Sequence, residues 1–290
     1  MARTSSKSGA VTTTSLEIDH EAIAAREAEV AGKTDDEIMA HLAERFEILD
    51  SMTRAVKAGH VNAMIVSGPP GVGKSHGVAT VLERDGLFDK IAERKPKFEI
   101  IKGSMTAIGL YCKLYEFSDP NSVLVFDDCD SILFDDVSLN VLKAALDSNE
   151  RRFINWNADS RILRSEDIPN RFEFKGAAIF VTNIKFQHIK SKKLKDHLNA
   201  LESRCHYIDL EMDTVREKLL HIRQTVDKGN MLERHNLGEH GEAEVIQFIS
   251  DNAAQLRELS LRQVLKIADL RKSFPSNWQQ MARATCMRRV

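Results

Sequence analysis

The amino-acid sequence predicts an α/β fold, in which a five-stranded parallel sheet is followed by a small all-helical domain. Two patterns in the 290-residue chain lead to this prediction. Between residues 61 and 212, short apolar runs alternate with helical patterns, which is typical of a parallel sheet covered by helices on both faces. After residue 212 only helical patterns remain, so we expect a domain boundary near this position.

The N-terminal part of the chain contains no strand pattern. Residues 1–15 are rich in Ser and Thr and nearly free of large apolar side chains, which predicts a disordered tail. Residues 16–60 are predicted to be helical. Within them, apolar side chains from Ile38 to Met52 recur at steps of three and four residues, which is the pattern of an amphipathic helix.

The strands are predicted from short apolar runs and the helices from periodic ones. The runs lie at residues 62–67, 98–101, 123–126 and 178–181, with a fifth candidate at 207–210. Helical patterns at 76–84, 106–117, 138–147 and 189–201 lie between them. Further helices are predicted at 215–226, 243–256, 261–272 and 277–287. Residues 61–212 are therefore assigned to an α/β core and residues 213–290 to the helical domain.

Composition limits the classes of protein to which this chain can belong. Hydrophobic residues make up 42% of the chain, enough for a sizeable core, and the formal net charge is -2. No apolar run approaches the roughly 20 residues of a membrane-spanning helix, and no secretory signal follows Arg3 and Lys7. We therefore expect a cytoplasmic protein with no membrane partner. The four cysteines are far apart, which predicts neither a zinc site nor a disulfide framework.

A glycine-rich segment follows the first predicted strand and opens the next helix. It satisfies the pattern G-x-x-x-x-G-K-[ST], in which the backbone N–H groups cradle phosphates, Lys74 reaches the β- and γ-phosphates and the Ser75 hydroxyl holds Mg²⁺. The alternative is a chance glycine-rich turn, but a position between a strand and a helix favours ATP binding with Mg²⁺. The residues predicted to contact the nucleotide are Gly68, Pro69, Pro70, Gly71, Val72, Gly73, Lys74, Ser75 and His76.

Two carboxylates follow the apolar run at 123–126. Because ligands bind outside the carboxyl ends of parallel strands, Asp127 and Asp128 are expected to face the phosphates. We predict that Asp127 is linked to Mg²⁺ and that Asp128 polarises the attacking water. The alternative is that the two acids cap the next helix, although Asp130 or Ser131 could do this instead.

These segments, in their order along the chain, resemble the AAA+ ATPases. Residues 68–75 resemble the Walker A motif and residues 123–128 the Walker B motif. Residues 179–183 resemble the sensor 1 strand with Asn183 at its polar position, residues 201–205 the segment that carries the arginine finger, and residues 260–264 sensor 2. The resemblance covers about residues 36–272. Residues 127–130 and 174–176 also look like AAA+ ATPases carried by bacteriophages.

The resemblance implies a P-loop NTPase core, a helical lid, and ATP bound between them. It also implies hydrolysis of ATP to ADP and phosphate at the subunit interfaces of a homo-oligomer or mixed ring. Asn183 would orient the water or contact the γ-phosphate, Arg204 would reach the ATP of a neighbouring subunit, and Arg262 would sense the γ-phosphate from the lid. Each has an ordinary alternative, namely a strand-ending turn for Asn183, a surface arginine for Arg204 and a basic helix face for Arg262.

One residue departs from the family pattern. The second Walker B acid is usually Glu, and here it is Asp128, whose side chain is shorter by one methylene. We therefore expect either slow hydrolysis or a loop that lies closer to the water.

The macromolecular partner is less strongly indicated than the nucleotide. Residues 203–205 have the form found in clamp loaders. Residues 153–156 and 172–174 could be the arms of a hairpin, and Arg161, Arg164 and Arg171 lie between them, which suits contact with DNA. The alternative is a solvated loop whose aromatic side chains pack on the core.

The leading hypothesis is an ATPase with a role in DNA replication, of clamp-loader or helicase-loader type. The alternatives are a protein-remodelling chaperone and an ATP-controlled assembly module with little turnover. Residues 102–107 contain no aromatic residue, which argues against a protein-threading enzyme.

Overall fold

The computed structural model describes residues 20–91, 97–184, 186, 189 and 191–288. The tail predicted at residues 1–15 lies outside the described residues.

The strands among the described residues form one parallel sheet and one hairpin. They are β1 (Ala63–Ser67), β2 (Phe98–Lys102), β3 (Val123–Asp127), β4 (Phe153–Asn155), β5 (Arg171–Glu173), β6 (Ala177–Thr182) and β7 (His206–Asp209). The parallel sheet has five strands in the order β2-β3-β6-β1-β7. The predicted α/β fold with a five-stranded parallel sheet is confirmed.

The helices surround this sheet and continue after it. Before and within the sheet they are α1 (His20–Ala31), α2 (Asp35–Lys57), α3 (Lys74–Ile91), α4 (Ala107–Glu116), α5 (Ser131–Phe134), α6 (Asp136–Ala145), α7 (Arg161–Ser165) and α8 (Lys192–Glu202). After the last strand come α9 (Val215–Gly229), α10 (Gly238–Asp251), α11 (Leu261–Ser273) and α12 (Trp278–Cys286), with a short 3-10 helix at Glu233–His235. None of the described helices has both the length and the apolar character needed to cross a bilayer.

The sheet is covered on both faces, which explains why its central strands are continuous apolar runs. Every residue of β1, β3 and β6 is buried. Alternate residues of β1 contribute to different clusters, since Ile65 packs with α4 and α6 on one face and Met64 packs with α2 and α3 on the other. The carboxyl ends of the three strands therefore meet at one edge of the sheet, where Ser67 pairs with Thr182 and Asp127 pairs with Val181.

A third hydrophobic cluster lies within the C-terminal helices. It includes Ile222, Phe248, Ile267 and Trp278, one from each of α9 to α12. The chain therefore carries a second, smaller packed unit after the sheet.

The boundaries of two helices differ clearly from the prediction. The helix predicted at residues 76–84 is α3, which lies at Lys74–Ile91. The helix predicted at residues 243–256 is α10, which lies at Gly238–Asp251. It ends there because the side-chain amide of Asn252 donates to the carbonyl of Phe248 at 2.8 Å. Leu256 pairs instead with Met287 in an isolated bridge. The apolar periodicity that we used continues past the true end of the helix.

The predicted hairpin is present, but most of its aromatic rings face the core. β4 and β5 pair antiparallel, with Ile154 opposite Phe172. Phe172 and Phe174 are only 8% and 1% exposed, and Trp156 packs against Tyr111 at 5.5 Å between ring centroids. These rings are therefore occupied in packing, as the alternative interpretation of the segment expected.

Candidate functional site

The glycine-rich loop lies between β1 and α3 in a backbone conformation that only glycine adopts readily. Gly71 and Gly73 have φ values of 73° and 105°. A Cβ atom at position 71 would also lie 2.8 Å from the Cβ of Ser260, which precedes α11. Gly71 is thus required both by the curl of the loop and by the close approach of the helical domain.

Lys74 is at the centre of the site. It is only 5% exposed, and its Nζ donates to the carbonyl of Gly68 at 2.6 Å, to that of Pro69 at 2.9 Å and to Oδ1 of Asn183 at 2.8 Å. Burial lowers the pKa of Lys74 to about 8, against the opposing attraction of Asp128 and Asp127. The ammonium group is therefore held by uncharged oxygen atoms inside the loop.

Asp127 ends β3 beside the first turn of α3. It is 3% exposed, and its Oδ1 accepts from the Ser75 hydroxyl at 2.6 Å. Its Oδ2 lies 3.0 Å from Nζ of Lys102, the last residue of the neighbouring strand β2. One carboxylate next to one hydroxyl suits Mg²⁺, which keeps several waters and takes its remaining ligands from phosphates.

Asp128 and Asn183 contact each other across the ends of β3 and β6. Asp128 has a φ of 52°, a left-handed conformation that Asp tolerates better than most residues, and its N–H donates to the carbonyl of Val181 at 3.0 Å. Nδ2 of Asn183 donates to Oδ1 of Asp128 at 2.8 Å. Asn183 therefore bridges Lys74 and Asp128.

A second contact joins the same two strand ends. Oδ1 of Asp130 accepts from the Thr182 hydroxyl at 2.8 Å. Burial raises the pKa of Asp130, and the nearby charge of Asp128 raises it further. Asp130, which the sequence predicts as a possible helix cap, therefore contacts the same strand ends as Asp128.

The N-terminal end of α11 approaches the loop from the helical domain. The N–H of Leu261 donates to the carbonyl of Gly71 at 2.9 Å. Arg262 is exposed, and its positive charge contributes to lowering the pKa of Lys74. The sensor 2 candidate therefore belongs to the same site as Lys74.

Two of the predicted side chains make no contact with the rest of the site in the part of the chain that the structure describes. Arg204 follows α8, where its Nη1 donates to the carbonyl of Ala200 at 2.5 Å and its buried Nε has no partner. Among the described residues, no contact links Arg204 to the glycine-rich loop. His76 is exposed on the first turn of α3. The remaining candidates, from both strand ends and the loop, lie together.

Besides Asp130, sequence reasoning missed two residues that contact the site. Lys102 could have been found, because the parallel register places it directly opposite Asp127. His221 could not, because nothing in the pattern of α9 distinguishes it. Its Nε2 nevertheless lies 2.9 Å from the carbonyl oxygen of Val72.

The sheet, the loop after its first strand and the helical unit that follows have the fold of a P-loop NTPase core with a helical lid. A comparison of sequences shows to which family the chain belongs. Over 250 residues the chain is 30% identical to the "Uncharacterized 36.7 kDa protein in nrdC-mobD intergenic region" of Enterobacteria phage T4. This match covers 85% of the chain and 75% of the phage protein. The chain belongs to the same family as this phage protein.

Other comparisons add only distant likenesses. No family model matches the chain. Domain III of the Thermotoga maritima replication initiation protein DnaA is 14% identical with a TM-score of 0.46, covering 85% of this chain and 92% of that one. The replication initiator DnaA bound to AMPPCP and single-stranded DNA is 14% identical with a TM-score of 0.44, covering 82% of this chain and 63% of that one.

Proposed function

We propose that this protein is an AAA+ ATPase that binds ATP and Mg²⁺ through residues 68–75 and hydrolyses the ATP to ADP and phosphate. The observation that carries this proposal is the bridge made by Asn183, which links Lys74 to Asp128 by hydrogen bonds of 2.8 Å on each side. A cation that can bind phosphate, a polar amide and a carboxylate in one network are the groups that phosphoryl transfer to water requires.

Each residue has a distinct role in the proposed reaction. Lys74 would exchange its carbonyl partners for the β- and γ-phosphate oxygens. Ser75 and Asp127 would hold Mg²⁺, which neutralises charge on the phosphates when it is bound. Asp128 would take the proton of the attacking water, and Asn183 would orient that water.

Turnover in this proposal depends on how the water reaches Asp128. Its Oδ1 accepts from Asn183, so the water would give its proton to the other carboxylate oxygen, Oδ2. This contact, together with the shorter side chain, favours slow hydrolysis. It is the observation that keeps an ATP-controlled assembly module as the second candidate function.

For the partner, we propose DNA in a replication-linked role, contacted through the β4–β5 hairpin. Phe153 is flanked by two exposed arginines, since the guanidinium carbon of Arg151 lies 4.9 Å and that of Arg171 lies 4.4 Å from the ring centroid. Two cations stacked on one aromatic ring form a compact group for a nucleic-acid backbone. Arg164 pairs with Asp159 and Arg151 pairs with Glu173 at 3.0 Å, so the DNA backbone would compete with these two carboxylates for the arginines.

Steady-state ATP hydrolysis, measured with and without single-stranded and primed DNA, tests both parts of the proposal. Lys74→Ala serves as the blank. We expect slow basal hydrolysis that DNA stimulates. The double variant Arg151→Ala/Arg171→Ala should keep the basal rate and lose the stimulation, whereas Arg223→Ala, an exposed arginine on α9, should keep both.

The possible outcomes separate the candidates. Hydrolysis that DNA does not affect would remove the DNA-linked role and direct the search to a protein partner, as expected of a remodelling chaperone. ATP-dependent assembly without measurable hydrolysis would favour the assembly module. Wild-type protein that binds nucleotide no better than Lys74→Ala would overturn the proposed function as a whole.

A further inference from the structure

Two consecutive carbonyl groups of the phosphate loop are bonded to the helical domain. The carbonyl of Gly71 accepts from the N–H of Leu261 at 2.9 Å, and the carbonyl of Val72 lies 2.9 Å from Nε2 of His221. A carbonyl oxygen can only accept, so Nε2 of His221 carries the proton and donates it. One bond comes from α11 and the other from α9.

His221 is held in this position by packing on a third element. Its ring stacks on Phe46 of α2, with 5.0 Å between the ring centroids and an angle of 6° between the planes. The side chain is only 6% exposed. Burial lowers the pKa of His221, so the imidazole is neutral near pH 7 and has one N–H to donate.

The geometry of the peptide bond relates these carbonyl contacts to the direction of the N–H groups on the opposite side of the loop. The peptide bonds are trans, and in a trans peptide the carbonyl and the next N–H point in opposite directions. A Gly71 carbonyl held by the helical domain therefore turns the N–H of Val72 away from that domain. A Val72 carbonyl held by His221 does the same for the N–H of Gly73.

These two N–H groups are available to a ligand. Among the described residues, neither the N–H of Val72 nor that of Gly73 has an acceptor. Backbone N–H groups of such a loop bind the phosphates of a nucleotide. The orientation of the loop carbonyls thus determines where the N–H groups that would donate to phosphate point.

We propose that His221 is a positioning residue for the phosphate loop, which fixes the Val72 carbonyl and thereby directs the Gly73 N–H at the β-phosphate of the bound nucleotide. This inference rests on the proposed nucleotide binding. It identifies α9 as a second link, besides α11, between the helical domain and the nucleotide. The affinity for phosphate would then depend on the position of the helical domain against the loop.

Equilibrium titration of the full chain with ADP and with AMP tests the role of His221. His221→Phe keeps a ring on Phe46 but removes the donor, and we expect it to raise the Kd for ADP roughly three- to tenfold, the range of one hydrogen bond. The Kd for AMP, which lacks the β-phosphate, should change less than about twofold. His221→Gln keeps an N–H donor at a similar reach and should restore most of the ADP affinity.

The wild-type protein offers a second measurement that requires no variant. Nitrogen NMR of His221 should give the Nε2–H tautomer, and the Gly73 amide proton should shift on titration with ADP and much less with AMP. An Nδ1–H tautomer, or a Gly73 amide that ADP does not move, would overturn the inference.

The remaining outcomes distinguish this inference from the proposed function. If wild type and His221→Phe bind ADP equally, His221 has no positioning role, while nucleotide binding stands. Equal loss of AMP and ADP affinity would assign His221 to general support of the site and also overturn the inference. If wild type binds ADP no better than Lys74→Ala does, the proposed function fails first.

Discussion

At the scale of single residues, Asp128 combines a left-handed backbone conformation with the proposed role of the base. Its φ of 52° is a conformation that Asp and Asn adopt more easily than other side chains, so Asp128→Asn should leave the loop intact. Because the amide cannot accept a proton, we expect ATP turnover to fall by about 10² to 10⁴. The Kd for ADP should stay within about twofold of wild type, since Asn183 and Lys74 keep each other as partners.

Asp130→Asn is the matched control for this prediction. Asp130 lies two residues further on and is occupied by the Thr182 hydroxyl, an interaction that an Asn oxygen can also accept. Turnover should therefore fall much less than in Asp128→Asn. The opposite ranking of the two variants would identify Asp130 as the acid that polarises the water.

The lowered pKa of Lys74 predicts a pH dependence of nucleotide binding. Without ligand, Lys74 loses its proton as the pH rises through about 8. Phosphate oxygens favour the charged form, so binding is coupled to proton uptake above that pH. Below about pH 7, Lys74 stays protonated and should not change the Kd for ADP. Above pH 8, we expect the Kd to rise by up to about tenfold per pH unit.

Calorimetric titration in buffers of different ionisation enthalpy measures this proton uptake directly. Lys74→Met removes the titrating group, so its weaker binding should lose the dependence on pH in this window. The phosphates of ADP are already ionised there and do not contribute. A wild-type Kd that does not change between pH 8 and pH 9.5 would contradict the pKa shift.

Sequence motifs predicted which residues lie together at the edge of the sheet. Ser75 and Asp127 could be paired in advance, because a loop after one strand and the end of another meet at the same edge of a parallel sheet. The contact of His221 with Val72 could not be predicted, because it depends on how α9 is seated against the loop. The hydrogen bond from Arg204 to the carbonyl of Ala200 could not be predicted from the sequence either.

At the scale of elements, Gly176 fixes the junction between the hairpin and β6. A Cβ atom at this position would lie 2.3 Å from the carbonyl oxygen of Phe117 and 3.0 Å from the ring of Phe174. Because the first neighbour is backbone, it cannot move aside easily. We expect Gly176→Ala to reduce the free energy of unfolding by about 1–3 kcal/mol, visible as a lower Tm.

Gly229→Ala provides the comparison for this substitution. Gly229 is the last residue of α9, and the nearest atom to its added Cβ would be Cγ2 of Thr225 at an ordinary 3.8 Å. Its Tm should be unchanged or slightly raised, because Ala would add at most about 1 kcal/mol to the free energy of unfolding. Equal Tm values for the two variants would show that the junction at Gly176 can relax.

Strands were predicted more accurately than helix ends, and burial explains the difference. β1, β3 and β6 are covered on both faces, so their apolar runs stop where the buried layer stops. Helix α10 is amphipathic, and its apolar spacing continues into the turn that contains Leu256. At its end the side-chain amide of Asn252 donates to the carbonyl of Phe248, and the spacing of apolar residues does not reveal such a local hydrogen bond.

At the scale of the whole molecule, the N-terminal helices connect the sheet to the helical domain. Arg26 of α1 pairs with the buried Glu217 of α9 at 2.7 Å, and Arg216 of α9 pairs with Asp35 of α2 at 2.6 Å. α2 also packs in the cluster that covers one face of the sheet. A segment predicted only as helical therefore links the two units that meet at the phosphate loop.

The isolation of Arg204 from the site of its own chain leads to a prediction about assembly. If Arg204 acts on the nucleotide of a neighbouring subunit, Arg204→Ala and Lys74→Ala should each have little ATPase activity alone, because an arginine finger contributes about 10³ to 10⁵ to turnover. In an equimolar mixture, about a quarter of the interfaces would pair an intact Lys74 with an intact Arg204. We expect ATPase activity to return in proportion to these interfaces.

A second mixture shows whether the recovery comes from shared sites. Mixing Arg204→Ala with the double variant Lys74→Ala/Arg204→Ala produces the same exchange of subunits but no interface with both groups, so activity should stay low. Native mass spectrometry of differently labelled chains establishes that exchange has taken place. Absence of recovery in the first mixture despite exchange would mean that Arg204 does not act across the interface, and its bond to the Ala200 carbonyl would then be its structural role. Recovery in the first mixture alone would make the oligomer, rather than the single chain, the unit that hydrolyses ATP.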